Sequence, residues 1–342
     1  MGNSTEYFYN LTPDRIHQAF AQAGLELTPT LRWLNSMENR VVGVEDIEGE
    51  RWVGKFYRPG RWSQAALQEE HDFMEELFEA DLPVRPPLEL LDGETVGRVE
   101  GIFFTIFPHH LGRMPDEVDF EHADLLGGLV ARLHQVGAGG RHRKRPNVSP
   151  ADWGLKSLQE LAREKVVPDL IWRRYQERVE NLCSLLKNRF SRHQQLRLHG
   201  DLHRGNILWS SLGPSFVDFD DTTTGPAVQD LWMLLPGRDN DALALREVFL
   251  ESYQRYRPFD RKELELIEPL RALKFVRHAA WVAKRRKDPA FYRLYPDVES
   301  HSFWRRELDE ALDAFLATLD QYTLADLVAR RKRALLRLLM PS

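Results

Sequence analysis

Leu198-His199-Gly200-Asp201-Leu202-His203-Arg204-Gly205-Asn206-Ile207-Leu208-Trp209, followed by Phe216-Val217-Asp218-Phe219-Asp220-Asp221, is the stretch that decides the fold. It sets a carboxylate, an amide five residues later and a second carboxylate twelve residues after that, with an apolar run leading into each block. Phosphoryl transfer needs this donor set: one Asp for the acceptor hydroxyl, an Asn and a second Asp for a magnesium ion. Asp201 is the expected base, or at least the group that orients the attacking hydroxyl. Asn206 and Asp218 are the expected Mg2+ ligands, because magnesium takes hard oxygen donors and keeps several waters. Any one of these residues is equally at home in a turn; the joint pattern is what carries the reading. A rival reads His199-x-Asp201-x-His203 as a metal hydrolase cluster. No other His-rich or Cys-rich motif supplies the remaining ligands, so both His residues are expected to support the loop's backbone.

Upstream, Arg40-Val41-Val42-Gly43-Val44 and Trp52-Val53-Gly54-Lys55-Phe56-Tyr57 flank a polar Gly turn and read as a hairpin. Period-2 alternation puts Val53, Lys55 and Tyr57 on one face. A Lys on an inner strand face requires an anion, and nucleotide phosphates provide one; taken alone, Lys55 reads more readily as a snorkelling surface residue. A helix opening at Ser63 follows. On its wheel Glu70 lies in the apolar stripe of Leu67, Met74 and Leu77, whereas Glu69 points about 100° away. A carboxylate there requires a partner, and Lys55–Glu70 is the expected pair. The segment before the hairpin, Leu34-Asn35-Ser36-Met37-Glu38-Asn39-Arg40, contains neither G-x-G-x-x-G nor a Walker A sequence. Ser36 and nearby N–H groups are placed to meet a phosphate, or form an ordinary polar turn. Asp230, after Gly225-Pro226, is expected either to cap a helix or to accept from the catalytic loop's backbone.

The remaining patterns give an α+β fold. Thr12-Pro13 opens a helix with an Ile16, Ala19, Phe20, Ala23 stripe, closed at Gly24. Leu88-Glu89-Leu90-Leu91 and Ile102-Phe103-Phe104-Thr105-Ile106-Phe107 read as strands. Beyond Pro108 the chain turns helical, with an apolar face at Leu125, Leu126, Leu129, Val130 and Leu133 and helical patterns near 156–190, 226–236, 240–256, 262–285 and 302–338. The expected organisation is two-lobed. A small antiparallel-sheet N-lobe with one or two helices spans 1–107, a larger helical C-lobe spans 108–325, and a basic amphipathic tail spans 326–342. That tail, Arg330-Arg331-Lys332-Arg333 before Ala334-Leu335-Leu336-Arg337-Leu338-Leu339, reads as a docking helix, a frayed end or a membrane-surface element.

Composition bounds the class. The chain has 342 residues, is 42% hydrophobic and 29% charged, and carries a formal net charge of −5. That balance argues against nucleic acid as a partner. The single Cys183 excludes an intrachain disulfide and fits a reducing, cytoplasmic setting. No signal peptide or membrane span is expected, and Glu6 stands where a myristoylation signal has Ser or Thr.

The segments His199-Gly200-Asp201-Leu202-His203-Arg204-Gly205-Asn206 and Val217-Asp218 resemble the aminoglycoside phosphotransferase and choline kinase branch of protein-kinase-like enzymes. Within that branch, four segments are similar to bacterial stress response kinases. They are Leu34 to Val41, Lys55-Phe56-Tyr57-Arg58-Pro59-Gly60-Arg61-Trp62, Leu196 to Asp201, and Gly225-Pro226-Ala227-Val228-Gln229-Asp230-Leu231-Trp232-Met233-Leu234-Leu235. The resemblance implies ATP as co-substrate, Mg2+, and transfer to Ser or Thr of proteins, the kinase itself included. It also implies a cytoplasmic stress-response enzyme; a monomer is expected. By motif position, Asp201 is the proton acceptor, Asn206 and Asp218 bind magnesium, and Ser36 contacts ATP. Two departures stand out. Asp220 occupies the place of the Gly in D-F-G, as either a third metal-site carboxylate or a solvated one. Only eleven residues separate Asp218 from Asp230, with no A-P-E element to seat a peptide. That brevity suits a small-molecule acceptor such as an amino-alcohol, sugar or aminoglycoside. A non-catalytic ATP-binding adaptor is a further alternative, which the intact Lys55, Asp201, Asn206 and Asp218 disfavour.

Overall fold

The computed structural model describes residues 4–292, 295–310, 312, 313 and 316. The tail over 326–342 lies outside the described residues. The chain begins with helices α1 (Ser4–Tyr9) and α2 (Pro13–Ala21) and strands β1 (Leu27–Leu34), β2 (Arg40–Asp46) and β3 (Arg51–Phe56). Helix α3 (Gln64–Glu79), strands β4 (Gly97–Val99) and β5 (Ile102–Pro108) and helix α4 (Phe120–Gly137) follow. Next come α5 (Lys156–Glu164), α6 (Asp169–Phe190), β6 (Leu196–Leu198), β7 (Ile207–Ser210), β8 (Gly213–Phe216) and β9 (Thr223–Gly225). The rest is helical: α7 (Val228–Leu234), α8 (Asn240–Gln254), α9 (Ile267–Arg285), α10 (Pro289–Tyr292) and α11 (His301–Arg305).

These elements form two compact units. The first comprises Met1–Pro146 and Gln195–Phe259 and contains every candidate site residue; the second comprises Asn147–Gln194 and Asp260–Ser342. The first unit is built on an antiparallel sheet of order β1-β2-β3-β5-β4. Its two faces divide by the strand period of two. Val42, Val44, Phe56, Ile102, Phe104 and Ile106 join Ile16, Ala19 and Phe20 of α2 in one core. Gly54 is on this face because a Cβ there would come within 2.7 Å of the Phe20 ring. Tyr57 packs instead with Leu67 of α3, beside Trp62 and Phe103. Lys55, two residues from Tyr57, is buried with it. Helix α3 starts where Ser63 accepts a hydrogen bond from the Ala66 N–H.

Helix α4 packs on α8 so closely that a Cβ on Gly127 would meet the Phe249 carbonyl oxygen. Its expected apolar face holds for Leu126, Val130 and Leu133, but Leu125 is exposed. Strand β6 pairs with β9, and β7 with β8 in a hairpin, which brackets the His199–Asp221 segment with short ladders.

Three expectations change. Strand β1 was not anticipated: Pro29 breaks its alternation, and the strand lies at the sheet edge with a register shift between Leu27 and Leu31. Leu88-Glu89-Leu90-Leu91 is not a strand; Pro86 and Pro87 precede it, and Leu88 N–H donates to the Ile106 carbonyl. The 156–190 pattern divides into α5 and α6, because Lys165 turns left-handed (φ +53°) and Pro168 precedes α6. In the second unit α5 packs on α9, and Cys183 is buried with its thiol toward the Pro150 carbonyl. No described helix is long and apolar enough to cross a membrane.

Candidate active site

The loop after β6 is held from behind. Asp230, in the first turn of α7 and fully buried, accepts from the His199 N–H (3.0 Å) and the Gly200 N–H (2.8 Å). Its Oδ2 also meets His134 Nε2 at 3.1 Å. Gln229 Nε2 donates to the Gly200 carbonyl. Gly200 has φ +85°, and a Cβ there would lie 2.3 Å from the Asp221 carbonyl oxygen. The fully buried His199 bonds through Nε2 to the Val217 carbonyl, and His203 Nδ1 accepts from the Gly205 N–H. Both His residues thus brace backbone. Among the described residues no group of three or more His, Cys, Asp or Glu is placed as a metal cage, so the hydrolase reading has no cluster to rest on.

Asp201 projects from this braced loop with its side chain about 25% exposed, Oδ2 3.6 Å from His203 Nε2. Asn206 is buried; its Nδ2 donates to the Asp201 carbonyl (2.9 Å), which leaves the amide oxygen as the side chain's metal-capable atom. The Asn206 carbonyl accepts from the Val217 N–H, so the hairpin delivers Asp218 beside it. Asp218 is left-handed (φ +62°), a conformation Asp tolerates better than most side chains. Its side chain is 55% exposed, and Oδ1 accepts from Lys55 Nζ at 2.7 Å. An amide oxygen and a carboxylate are the hard donors that magnesium selects. The residues present therefore fit the ion.

Burial opposes a charged Lys55, but Asp218 and Asp220, with Tyr57 and Glu70 behind them, outweigh it and push its pKa up. Partial desolvation likewise acts against ionised Asp218, and the Lys55 ammonium overcomes it, holding that carboxyl below the usual range. The pair is charged at neutral pH.

The expected Lys55–Glu70 bridge is replaced by two other pairings. Glu70, 1% exposed, gives Oε2 to Arg145 at 2.5 Å, and its Oε1 has no hydrogen-bond partner among the described residues. Burial raises the Glu70 pKa, while Arg145 and Lys55 draw it back. Arg145 also donates to the Ala66 and Asp220 carbonyls and stacks over Trp62. It comes from the basic Gly- and Pro-containing stretch before Pro150, whose sequence reads as a loop and gives no sign of a buried guanidinium. Neighbouring Glu69 accepts from the Arg143 and Lys144 N–H groups on the exposed side of α3.

Ser36 sits in the turn between β1 and β2, where its Oγ accepts from the Asn39 N–H at 3.3 Å. A network of side chains fastens that turn. Asn39 Nδ2 donates to Asp220 Oδ2, and its Oδ1 accepts from the Arg58 N–H. Arg58 pairs with Glu38 at 3.1 Å, and Arg61 pairs with Asp220 and with Asp221. Asp220 is neither solvated nor open to a metal; it is 4% exposed and bonded from several sides. The sequence signal was the density of cations in Arg58-Pro59-Gly60-Arg61-Trp62 opposite three carboxylates at 218–221.

A family model described as "Phosphotransferase enzyme family" matches residues 30–267, which include all of these side chains. The chain belongs to that family. This phosphotransferase is 35% identical over 308 residues to stress response kinase A of Escherichia coli (strain K12), covering 90% of this chain and 93% of the relative. It is 36% identical, over the same shares, to the Salmonella typhimurium protein named serine/threonine protein kinase RdoA. Among solved structures, an amicoumacin kinase in complex with AMP-PNP, Ca2+ and Ami aligns with a TM-score of 0.70 at 17% identity. That alignment covers 89% of this chain and 96% of the other. A spectinomycin phosphotransferase aligns with a TM-score of 0.60 at 14% identity, covering 86% and 95%. At such identity these two structures bear on the fold, which is of the aminoglycoside phosphotransferase kind. The chain is a kinase-type phosphotransferase with relatives named for the stress response.

Proposed function

We propose that this phosphotransferase is an ATP-dependent protein serine/threonine kinase of the stress response that also phosphorylates itself. The observation that carries the reading is the 2.7 Å pair of Lys55 with Asp218, built into the same unit as the braced Asp201 loop. Lys55 grips the phosphates. Asn206 and Asp218 would hold Mg2+, which neutralises phosphate charge when bound. Ser36 and the N–H groups of its turn meet the phosphates from the other side, and Glu70 supports the grip through Arg145. Asp201 accepts the proton of the attacking hydroxyl, or orients it, at its partly exposed carboxylate. We further propose a monomer acting in the cytoplasm, with lobes that divide at Phe107-Pro108.

A second reading has its own support. From Asp218 the chain passes through a 3-10 turn (Phe219–Asp221) and β9 straight into α7, leaving no peptide-seating segment. This favours a small hydroxylated acceptor. Incubating the pure chain with γ-labelled ATP and magnesium separates the two. Label on the chain and on protein substrates supports the kinase of proteins, and label confined to small molecules supports the second reading. Asp201→Ala should lower either transfer by at least about 1,000-fold while nucleotide affinity stays within a few-fold of wild type. Undiminished transfer in that variant overturns the proposed role of Asp201.

A further inference from the structure

Three carboxylates are candidates for aiming Lys55, and the geometry separates them. Glu70 is engaged elsewhere: Arg145, fully buried, takes its Oε2 at 2.5 Å. Among the described residues, the carboxylates within ion-pair reach of Lys55 Nζ are Asp218 at 2.7 Å and Asp220 at 3.7 Å. Asp218 is the half-exposed group assigned above to magnesium. Once it turns to a cation, it no longer serves Lys55 as a full partner. Asp220 has no such freedom. Trp62 Nε1 donates to its Oδ1 at 3.1 Å, Asn39 Nδ2 donates to its Oδ2 at 3.1 Å, and the Arg61 guanidinium pairs with the same oxygen. A buried carboxylate held by donors on both oxygens is a fixed counter-charge.

We infer that Asp220, rather than Glu70, is the positioning residue that orients Lys55 toward the nucleotide phosphates, with Arg61 and Trp62 holding Asp220 in place. The same carboxylate fastens Asn39, and through it the turn that carries Ser36. The two phosphate-facing groups of the sheet therefore share one anchor, and that anchor is the residue standing where D-F-G has glycine. The inference rests on the nucleotide reading above. Asp220 itself touches no phosphate in this scheme; it acts through Lys55 and Asn39.

The test is a double-mutant cycle on nucleotide affinity, read by titrating a fluorescent ATP analogue with magnesium into the full chain. Asp220→Asn keeps size and one acceptor oxygen, which can face Asn39 and Arg61, but removes the charge and the acceptor for Trp62, and should weaken binding at least fivefold. Lys55→Met should weaken it by as much or more. The double variant should then bind within twofold of Lys55→Met alone, because the charge that Asp220→Asn removes acts on Lys55, while the retained amide oxygen still holds Asn39. A purely structural role for Asp220 predicts multiplying losses instead. Multiplying losses, or an Asp220→Asn chain that binds like wild type, overturn the inference. Should Asp220→Asn fail to fold by circular dichroism, Arg61→Gln takes its place in the cycle; it unfastens Asp220 without removing the carboxylate, and the same outcomes decide. A wild-type chain that does not bind the analogue overturns the nucleotide reading together with this inference, whereas a binding wild type with a multiplying cycle overturns this inference alone.

Discussion

Asp218 and Gly200 show how single backbone angles place the chemistry. Asp218 reaches Lys55 from a left-handed conformation, and Gly200 occupies φ +85° against the Asp221 carbonyl. Any side chain at Gly200 meets both strain, of about 1–3 kcal/mol, and overlap with a backbone that the β6–β9 ladder holds. Gly200→Ala should therefore lower the urea unfolding midpoint and reduce turnover by at least about tenfold, since it displaces the turn that carries Asp201. Asp218→Ala should behave differently from Asp201→Ala. It removes a proposed magnesium ligand and leaves the buried Lys55 ammonium with Asp220 alone, so nucleotide affinity should fall by at least about tenfold. Titration of a fluorescent nucleotide with and without magnesium checks this; unaltered affinity contradicts the assignment.

At the scale of elements, the first turn of α7 supports the catalytic loop. Asp230 satisfies two buried N–H groups and a buried imidazole at once. Asp230→Ala would strand all three donors, a loss of about 3–5 kcal/mol, measurable by urea denaturation. Turnover should drop with it even though Asp230 touches no substrate. Elements such as these were legible in the sequence where the signal is local. The spacing of Asp201, Asn206 and Asp218 survives into space because short ladders and a hairpin connect them. The Ser63 cap and the Glu70 stripe were legible because helix geometry is local as well. What could not be read was pairing across distance. Glu70 needed a cation, and sequence offered Lys55, the nearest one on an inner face; the fold supplies Arg145 from a loop 75 residues away. Likewise the sequence leaves Asp220 as either a third metal-site carboxylate or a solvated one, whereas in the fold Asn39, Arg61 and Trp62 converge on it from other parts of the chain. Strand β1 escaped because edge strands tolerate proline and lose alternation.

For the whole molecule, buried histidines tie stability to pH. His71 is 2% exposed, and burial, reinforced by Arg145 and Lys55, brings its pKa down to about 3 from an ordinary 6.5. Its ring bonds to Thr95 and Thr105 as a neutral group. Below pH 6.5 the unfolded chain gains a proton that the native chain refuses, so this His favours folding fully above 6.5 and progressively less as pH falls toward 3. The slope is about 1.4 kcal/mol per pH unit, or ~2 kcal/mol lost between pH 6.5 and 5. His142, brought to about 3 mainly by burial, adds in the same direction. Urea unfolding at pH 7 and pH 5 should show the decline, and His71→Gln should flatten it by ~2 kcal/mol. An equal decline in that variant would assign the acid sensitivity to other groups.

The two borders of the five-stranded sheet have a bearing on how the protein behaves at high concentration. One border is β1, interrupted by Pro29 and a register shift; the other is β4, three residues long. Neither presents the long uninterrupted row of amides that a foreign strand needs to zip onto. Replacing Pro29 with valine would repair that row, and light scattering on a concentrated, gently warmed sample should then report faster growth of fibrous particles than for the native chain. An imperfection in one outer strand thereby protects the fold against its own propensity to stack.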